Sequence, residues 1–532
     1  MSRFIPVLSV LLILSFCAAQ PLASAQDRPV DVARLLERGY APDTILVQFK
    51  PEAAKSAVDA ITRAMDMERV RYFEQIDVGV YKIPVDTVLS TVDTLGAFPE
   101  VAFAEPNYIR RTSFIPNDPR YSDQWGFPKI SAPAAWDITL GSSDVIVAVI
   151  DTGIDQDHPD LINQRWINTD EIAGNGIDDD NNGYTDDRFG YDFFGNALFG
   201  IIPPGENAED NDPEDDMGHG SHTAGTVAAE TDNATGVAGT ASGCRVMVVR
   251  ALGTILGMGY SSDIINAMFY ATDNGAHVIS MSLGSTAFST AELTAAVYAE
   301  NNDVLIVAAA GNGGNTQMNY PAGYPTVLSV SATTSADGLA SFSSRGANVD
   351  VAAPGVGIVS CDLGGGYASQ QGTSMACPHV AGLSALVRSQ FPTATAAQVR
   401  QMVRNGADDL GAAGWDPNFG DGRINALGTL TTTVPDPDQV ALFQPGNGGT
   451  LNSAGTAFGF GWSRVASAAS YAVQFQVPWG GTVTVMNLPY NFFYPAQSVW
   501  GNIPPGSYKW RAGALDSNGQ VISISPWWDF NK

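Results

Sequence analysis

Three side chains of this 532-residue chain stand in settings that suit one kind of reaction. Ser374 lies in Gly372-Thr-Ser-Met-Ala-Cys-Pro-His-Val-Ala-Gly382, ahead of apolar residues Val380, Leu383, Leu386 and Val387 at helical spacing. A serine there meets the unpaired N–H groups and positive dipole end of a helix, which stabilise an oxyanion formed by its attack. The same position also suits a serine that merely caps the helix. A hydroxyl is a weak nucleophile near neutral pH, so a base must take its proton, and a carboxylate must hold that base. His219, in Gly218-His-Gly-Ser-His-Thr-Ala-Gly-Thr-Val-Ala-Ala229, offers the imidazole, and Asp151, opening Asp-Thr-Gly-Ile, offers the carboxylate. Asn312, in Val307-Ala-Ala-Ala-Gly-Asn-Gly-Gly314, carries an amide suited to donate to the oxyanion, a contact worth about 3–4 kcal/mol.

These groups need a frame. Val145–Ile150 is a continuous β-branched run, as expected of a strand buried on both faces, and Cys244–Leu252, His277–Leu283 and Val304–Ala309 are similar. Helical patterns at Ser262–Asn274 and Ser289–Asn301 intervene, so the rhythm from Trp125 to about Leu430 predicts a parallel α/β sheet with helices on both faces. Asp151 then falls at the carboxyl end of a strand, where such sheets bind ligands. Residues 44–109 predict a small α/β unit: strand Thr44–Lys50, helix Ala53–Met65, strand Val78–Ile83, helix Val85–Leu95 and strand Val101–Ala104. Residues 431–439 form a linker, and 440–532 show short alternating runs of an all-β sandwich, fibronectin type III-like.

Composition excludes some roles. A net charge of -28 argues against a nucleic-acid partner. Arg3 and the apolar run Phe4–Ala19, followed by Ala23-Ser-Ala25, read as a signal peptide over residues 1–25, and no other run is long enough for a membrane span. The chain is therefore expected to be secreted. Loss of Cys17 leaves Cys244, Cys361 and Cys377, an odd number, with a Cys244–Cys361 bridge open and Cys377 read as a small buried residue.

The Asp-Thr-Gly, His-Gly-Ser-His-Thr-Ala-Gly-Thr and Gly-Thr-Ser-Met-Ala-Cys-Pro-His-Val-Ala-Gly motifs, in that order, resemble the subtilisin-like serine proteases, the subtilases of peptidase family S8. The resemblance covers roughly residues 117–430. It implies a subtilisin-like peptidase domain with Asp151, His219 and Ser374 as triad and Asn312 as oxyanion donor. It also implies that Ser280, Ser282, Leu283 and Gly284 belong to an edge strand pairing with the substrate backbone. Residues 26–113 then resemble an inhibitor-type propeptide that assists folding, occupies the cleft and is removed by the enzyme itself near Arg110–Pro116. Arg110-Arg111 offers a separate trypsin-like enzyme an alternative cut. The implied activity is a broad endopeptidase for protein or peptide substrates, made as a self-processing zymogen. A peptide ligase or cyclase on the same fold and a non-catalytic, calcium-dependent adhesive protein stand as alternatives.

Asp178, Asp180 and Asn182, with the Tyr184 carbonyl, place oxygen ligands at alternate positions before a glycine turn, and Asp186 or Asp187 completes the set. The Glu of an EF-hand's twelfth position is missing, but similar insertions in subtilases bind calcium, so a structural Ca²⁺ and no organic cofactor are expected. The acidic run Glu206–Asp216 is read as shaping the cleft or binding weakly. His158, His222, His277 and His379 are read as structural. Gly284, Ala308–Gly311 and Asn319 are expected to line the first side-chain pocket, which lacks a carboxylate to demand a basic residue and so favours apolar or aromatic side chains. Six of the ten tryptophans fall in 440–532, which raises the expectation of polymer binding by that domain.

Overall fold

The alternation at 44–50 and 78–83 builds the first of two units, Met1–Arg111 and Thr112–Lys532. The computed structural model describes residues 39–109, 114–194, 209–253, 257–451 and 458–532. The signal peptide with Cys17, the residues 110–113 of the expected cut, and the start of the 206–216 run lie outside them.

In the first unit β1 (Tyr40–Phe49), α1 (Lys55–Ala64), β2 (Glu68–Phe73), β3 (Val78–Lys82), α2 (Val88–Gly96) and β4 (Val101–Tyr108) form an antiparallel sheet of order β2-β3-β1-β4. Ile45, Val47, Ile61, Tyr81, Val88 and Leu95 make its core. Strand β2 was not expected from the sequence. Its apolar Val70 and Tyr72 are exposed, and its arginines and glutamate suit an edge strand held only by β3.

The second unit is built on β5 (Ile146–Asp151), β6 (Gly190–Asp192), α3 (His219–Ala228), β7 (Arg245–Arg250), α4 (Ser261–Asp273), β8 (Val278–Met281), α5 (Thr290–Asn301), β9 (Leu305–Ala309), β10 (Val327–Thr333) and β11 (Val351–Pro354). The strands form a seven-stranded sheet of order β11-β10-β9-β8-β5-β7-β6, with parallel pairing throughout. Period-two geometry sorts each strand between two cores. Val147 and Val149 of β5 face the core shared with α3, while Ala148 and Ile150 face the core shared with α4 and α5. Fully burying such a side chain contributes roughly 1.5–3 kcal/mol. The chain passes from β7 on one side of β5 to β8 on the other, so Asp151 ends the strand at which the order reverses. A hairpin of β12 (Ile358–Asp362) and β13 (Gly366–Gln370) leads to α6 (Thr373–Gln390), and α7 (Ala396–Asn405) follows.

Beyond the linker lie β14 (Leu442–Gln444), β15 (Gly449–Thr450), β16 (Phe460–Trp462), β17 (Ser470–Gln476), β18 (Thr482–Leu488), β19 (Phe492–Phe493), β20 (Ser507–Leu515), β21 (Val521–Ile524) and β22 (Trp528–Asn531). They form a three-stranded sheet, β14-β16-β19, and a six-stranded sheet around β20 and β17. Trp462, Trp500 and Trp510 fill the core between them, whereas Trp479 is exposed. Trp527 lies under Arg511 and Trp528 beside Arg404. Most of the tryptophan surplus is thus consumed by packing.

The bridge left open between Cys244 and Cys361 does not form. Cys244, Cys361 and Cys377 are free and buried, Cys244 beside Ser389 and Cys361 beneath Gly225 of α3. No helix among the described residues is long and apolar enough to cross a membrane.

Candidate active site

Asp151 and His219 meet at 2.6 Å between Oδ1 and Nδ1. Asp151 is buried and also accepts from Thr152 N at 2.8 Å and Thr223 Oγ1 at 3.2 Å. Burial pulls the His219 pKa down, but the charge and hydrogen bond of Asp151, with Asp215 behind them, outweigh it and leave the imidazole above its ordinary 6.5.

Asp215 had no individual role in the sequence reading. One of its oxygens accepts from Thr152 Oγ1 (2.8 Å), Met217 N (2.9 Å) and Gly218 N (3.0 Å), and the other from Ser221 N (2.9 Å) and Ser221 Oγ (2.7 Å). It therefore ties the turn after Asp151 to the start of the helix that begins at His219, satisfying amides that a helix start leaves unpaired. Its place four residues before His219 was the available signal. Gly153 (φ 97°) and Gly220 let the two segments touch, since a Cβ on Gly220 would stand 2.0 Å from Gly153 O. The rest of the described acidic run binds neighbours singly, Asp216 to Arg250 and Glu214 to Gln156 N. Burial lifts Asp192 on β6 to about 7 against the pull of Arg250.

Ser374 is the second residue of α6, after Gly372 at φ 156°. Its hydroxyl donates to Ser282 O at 3.1 Å, and among the described residues no hydrogen bond joins it to His219. Asn312 Oδ1 accepts from Thr373 N (2.9 Å) and Thr373 Oγ1 (3.0 Å). With its oxygen so engaged, the amide turns Nδ2 toward the Gly372–Ser374 turn, 3.5 Å from where a Gly372 Cβ would lie.

The expected edge strand needs correction at Ser280. Ser280 is paired on both sides, to Val149 of β5 and Val307 of β9, and its buried hydroxyl faces Cys377. A residue inside the sheet has no free backbone edge for a peptide. Only Ser282, Leu283 and Gly284, past the end of β8, run clear of the sheet. Asn319 lies between Gly284 and Gly311: its Nδ2 donates to Ala310 O at 3.0 Å, and Cβ atoms on Gly311 and Gly284 would stand 2.3 Å and 3.7 Å from its side chain.

The remaining histidines are held in place. His222 donates from Nε2 to Ile358 O at 2.9 Å and His379 from Nδ1 to Met375 O at 2.9 Å; burial depresses each to about 4. His158 bonds Gly366 O at 2.8 Å, and His277 accepts from Ile146 N. Burial pushes the Cys377 thiol up to about 12, so it carries no thiolate at neutral pH.

Within the 171–187 loop the carboxylates of Glu171, Asp178 and Asp180 converge, with ligand oxygens within 4.8 Å of one another. No Lys or Arg among the described residues forms a salt bridge with them. Three hard oxygen donors with no such cationic partner fit a metal ion of the calcium class. Glu171 was missed because the remaining ligand was sought downstream of Asp178. Asn182 donates to Asp180 and Asp187, and Tyr184 packs its ring on Tyr191, Phe193 and Tyr270. Asp186 accepts from Asn175 N and Gly176 N, and buried Asp187 from Asn168, Asn182 and Tyr270.

Comparison with known proteins gives the family of the chain. Residues 142–422 match the subtilase family model, and residues 28–107 match the fervidolysin N-terminal prodomain. The chain is 40% identical over 404 residues to a thermophilic serine proteinase of Bacillus sp. (strain AK1), covering 74% of this chain and 89% of that one. It is 41% identical over 314 residues to thermitase of Thermoactinomyces vulgaris, covering 59% and 98%. Among solved structures, a protease of Pseudoalteromonas arctica PAMC 21717 aligns with a TM-score of 0.50 at 31% identity, covering 59% of this chain and 98% of that chain. The chain belongs to the subtilase family, as a subtilisin-like serine endopeptidase with an N-terminal prodomain.

Proposed function

We propose that the protein hydrolyses peptide bonds through Ser374, His219 and Asp151, as a secreted zymogen that removes its own prodomain. The observation that carries the reading is the 2.6 Å contact between His219 Nδ1 and buried Asp151, which leaves Nε2 free to act as base. Ser374 leaves Ser282 O, passes its proton to His219 Nε2 and attacks the scissile carbonyl. The oxyanion accepts from Asn312 Nδ2 and Ser374 N; His219 then protonates the leaving amine, and water repeats the sequence on the acyl-enzyme. Ser282, Leu283 and Gly284 pair with the substrate backbone, and Gly284, Gly311 and Asn319 bound a pocket for an apolar side chain.

The acidic loop holds Ca²⁺ through Glu171, Asp178 and Asp180, with neighbouring oxygens of 182–187 completing the shell. Bound there, the ion neutralises carboxylates that would repel one another; the catalytic groups stand apart from it in role. The prodomain acts as an intramolecular inhibitor until it is cut.

Wild type and Ser374→Ala, expressed with calcium, are compared by intact mass over time. Loss of a fragment ending near residues 110–116 from wild type alone supports nucleophile and self-processing together. Equal cutting of both assigns the cut to another enzyme at Arg110-Arg111. Products heavier than the substrate, or circular, would favour ligation over hydrolysis.

A further inference from the structure

The loop that carries Asn319 has two sides. One faces the proposed pocket between Gly284 and Gly311 and is fastened there by reciprocal backbone bonds of Ser285 and Tyr320, at 2.9 and 2.7 Å. The other faces the C-terminal sandwich. Tyr494 meets Phe288 edge-on at 5.6 Å, and Phe288 in turn packs against Tyr320 (5.2 Å) and Tyr324 (5.7 Å). The Tyr494 hydroxyl is buried without a hydrogen-bond partner among the described residues, so the ring contributes packing there. Gly459 and Gly461 of the sandwich press on Pro325, where added Cβ atoms would stand 2.6 and 2.5 Å from the proline ring. Met318 touches both the sandwich core and the core of the sheet.

The sandwich is fastened beside this contact on rigid elements. Asn491 donates to Glu300 of α5 at 3.0 Å, and Arg464 to Asn301 O at 2.8 Å. Arg404 of α7 donates to Leu442 O at 3.2 Å, while Arg400 donates to Pro325 O at 2.6 Å and stacks on Phe443 at 4.2 Å. Close-packed contacts of this kind transmit displacement instead of absorbing it.

We propose that the C-terminal sandwich is a supporting wall of the substrate site, with Tyr494 a positioning residue that holds loop 318–324 and so fixes the pocket floor at Asn319. The inference rests on the proposed assignment of that pocket. Side chains long enough to reach the floor depend on the support, and short ones do not.

The test uses the full-length mature enzyme and peptide substrates differing only in Phe or Ala at the residue before the scissile bond. A fluorophosphonate that labels the active serine counts competent sites. Tyr494→Ala is expected to raise KM for the Phe substrate about tenfold with kcat retained, and to leave the Ala substrate within about twofold. Tyr494→Phe keeps the ring and is expected to match wild type. Gly461→Ala, which pushes on Pro325, is expected to reproduce the selective loss and serves if Tyr494→Ala yields no labelled enzyme. Equal effects on both substrates, or none, in the labelled variants overturn the proposal. Failure of wild type to label would instead overturn the protease mechanism on which it rests.

Discussion

Ser282 and Ser374 are hydrogen-bonded in both directions, and Pro378 accounts for one of the two bonds. Proline lacks an N–H, so the carbonyl four residues earlier in α6, that of Ser374, receives no helical bond. The Ser282 hydroxyl donates to that carbonyl at 2.7 Å, while the Ser374 hydroxyl rests on Ser282 O. The segment past β8 thus supplies the bond that the helix lacks at the residue assigned as nucleophile.

Ser282→Ala leaves that carbonyl without its donor and is expected to destabilise the protein by about 1–3 kcal/mol. Urea unfolding in a Ser374→Ala background, where autolysis is absent, measures it. In the active enzyme the same change lowers kcat, and Ser282→Thr, which keeps the hydroxyl, recovers part of the loss.

Asp215→Asn removes a negative charge that raises the His219 pKa. The neutral imidazole is the active base, so the acid limb of kcat/KM is expected to move to lower pH. The fivefold-bonded carboxylate also aligns the Asp151 turn with α3, so the rate at the optimum falls, by about 10²-fold if His219 shifts by an ångström. A lower rate with an unmoved acid limb would assign Asp215 a purely structural part.

Buried groups set opposite slopes of stability against pH. His222 and His379 titrate near 4 when folded and near 6.5 when unfolded, so the unfolded chain binds more protons between those values and stability rises with pH across that window. Burial lifts Glu300 to about 7 from 4.5, against the pull of Asn491, Arg400 and Arg464. Its stabilisation is therefore present below 4.5 and lost as pH rises through 7. Glu300→Gln is expected to match wild type at low pH and exceed it above neutrality, measured by denaturant unfolding in the Ser374→Ala background at several pH values.

Chelating calcium from the Ser374→Ala protein is expected to lower its Tm, and adding it back to restore it. An ion at a hundred times its Kd contributes about 2.7 kcal/mol. Glu171→Gln and Asp178→Asn are expected to weaken the response, read by calorimetric titration with Ca²⁺; an unchanged titration would remove the assignment.

The β-branched run at 145–150 and the helix after Ser374 were legible because burial on both faces, or on one stripe, leaves a periodic trace. Asp215 left none: three of its five bonds come from backbone amides, which carry no residue identity, and the other two from the Thr152 and Ser221 hydroxyls, which no periodicity links to it. Glu171 reaches its carboxylate partners through the fold of the loop, and Ser280 differs from Ser282 only in whether a neighbouring strand still runs beside it. Strand β2 hid because its side chains face solvent. The tryptophans of the sandwich signalled a large core, which composition alone does not separate from a binding surface.

The parallel sheet joins residues as distant as Val147 and Val278, whereas β2 and β3 of the first unit pair across a short turn. Long loops must close before the sheet rewards them with burial, which places a high barrier between unfolded and folded chain. The small unit comes first in the chain, and its β2–β3 pairing needs nothing beyond Lys82, whereas the larger sheet is incomplete without β10 and β11. A barrier steep on the way in can also be steep on the way out. For an endopeptidase surrounded by copies of itself, slow opening is protection: a chain that rarely exposes its backbone is rarely cut.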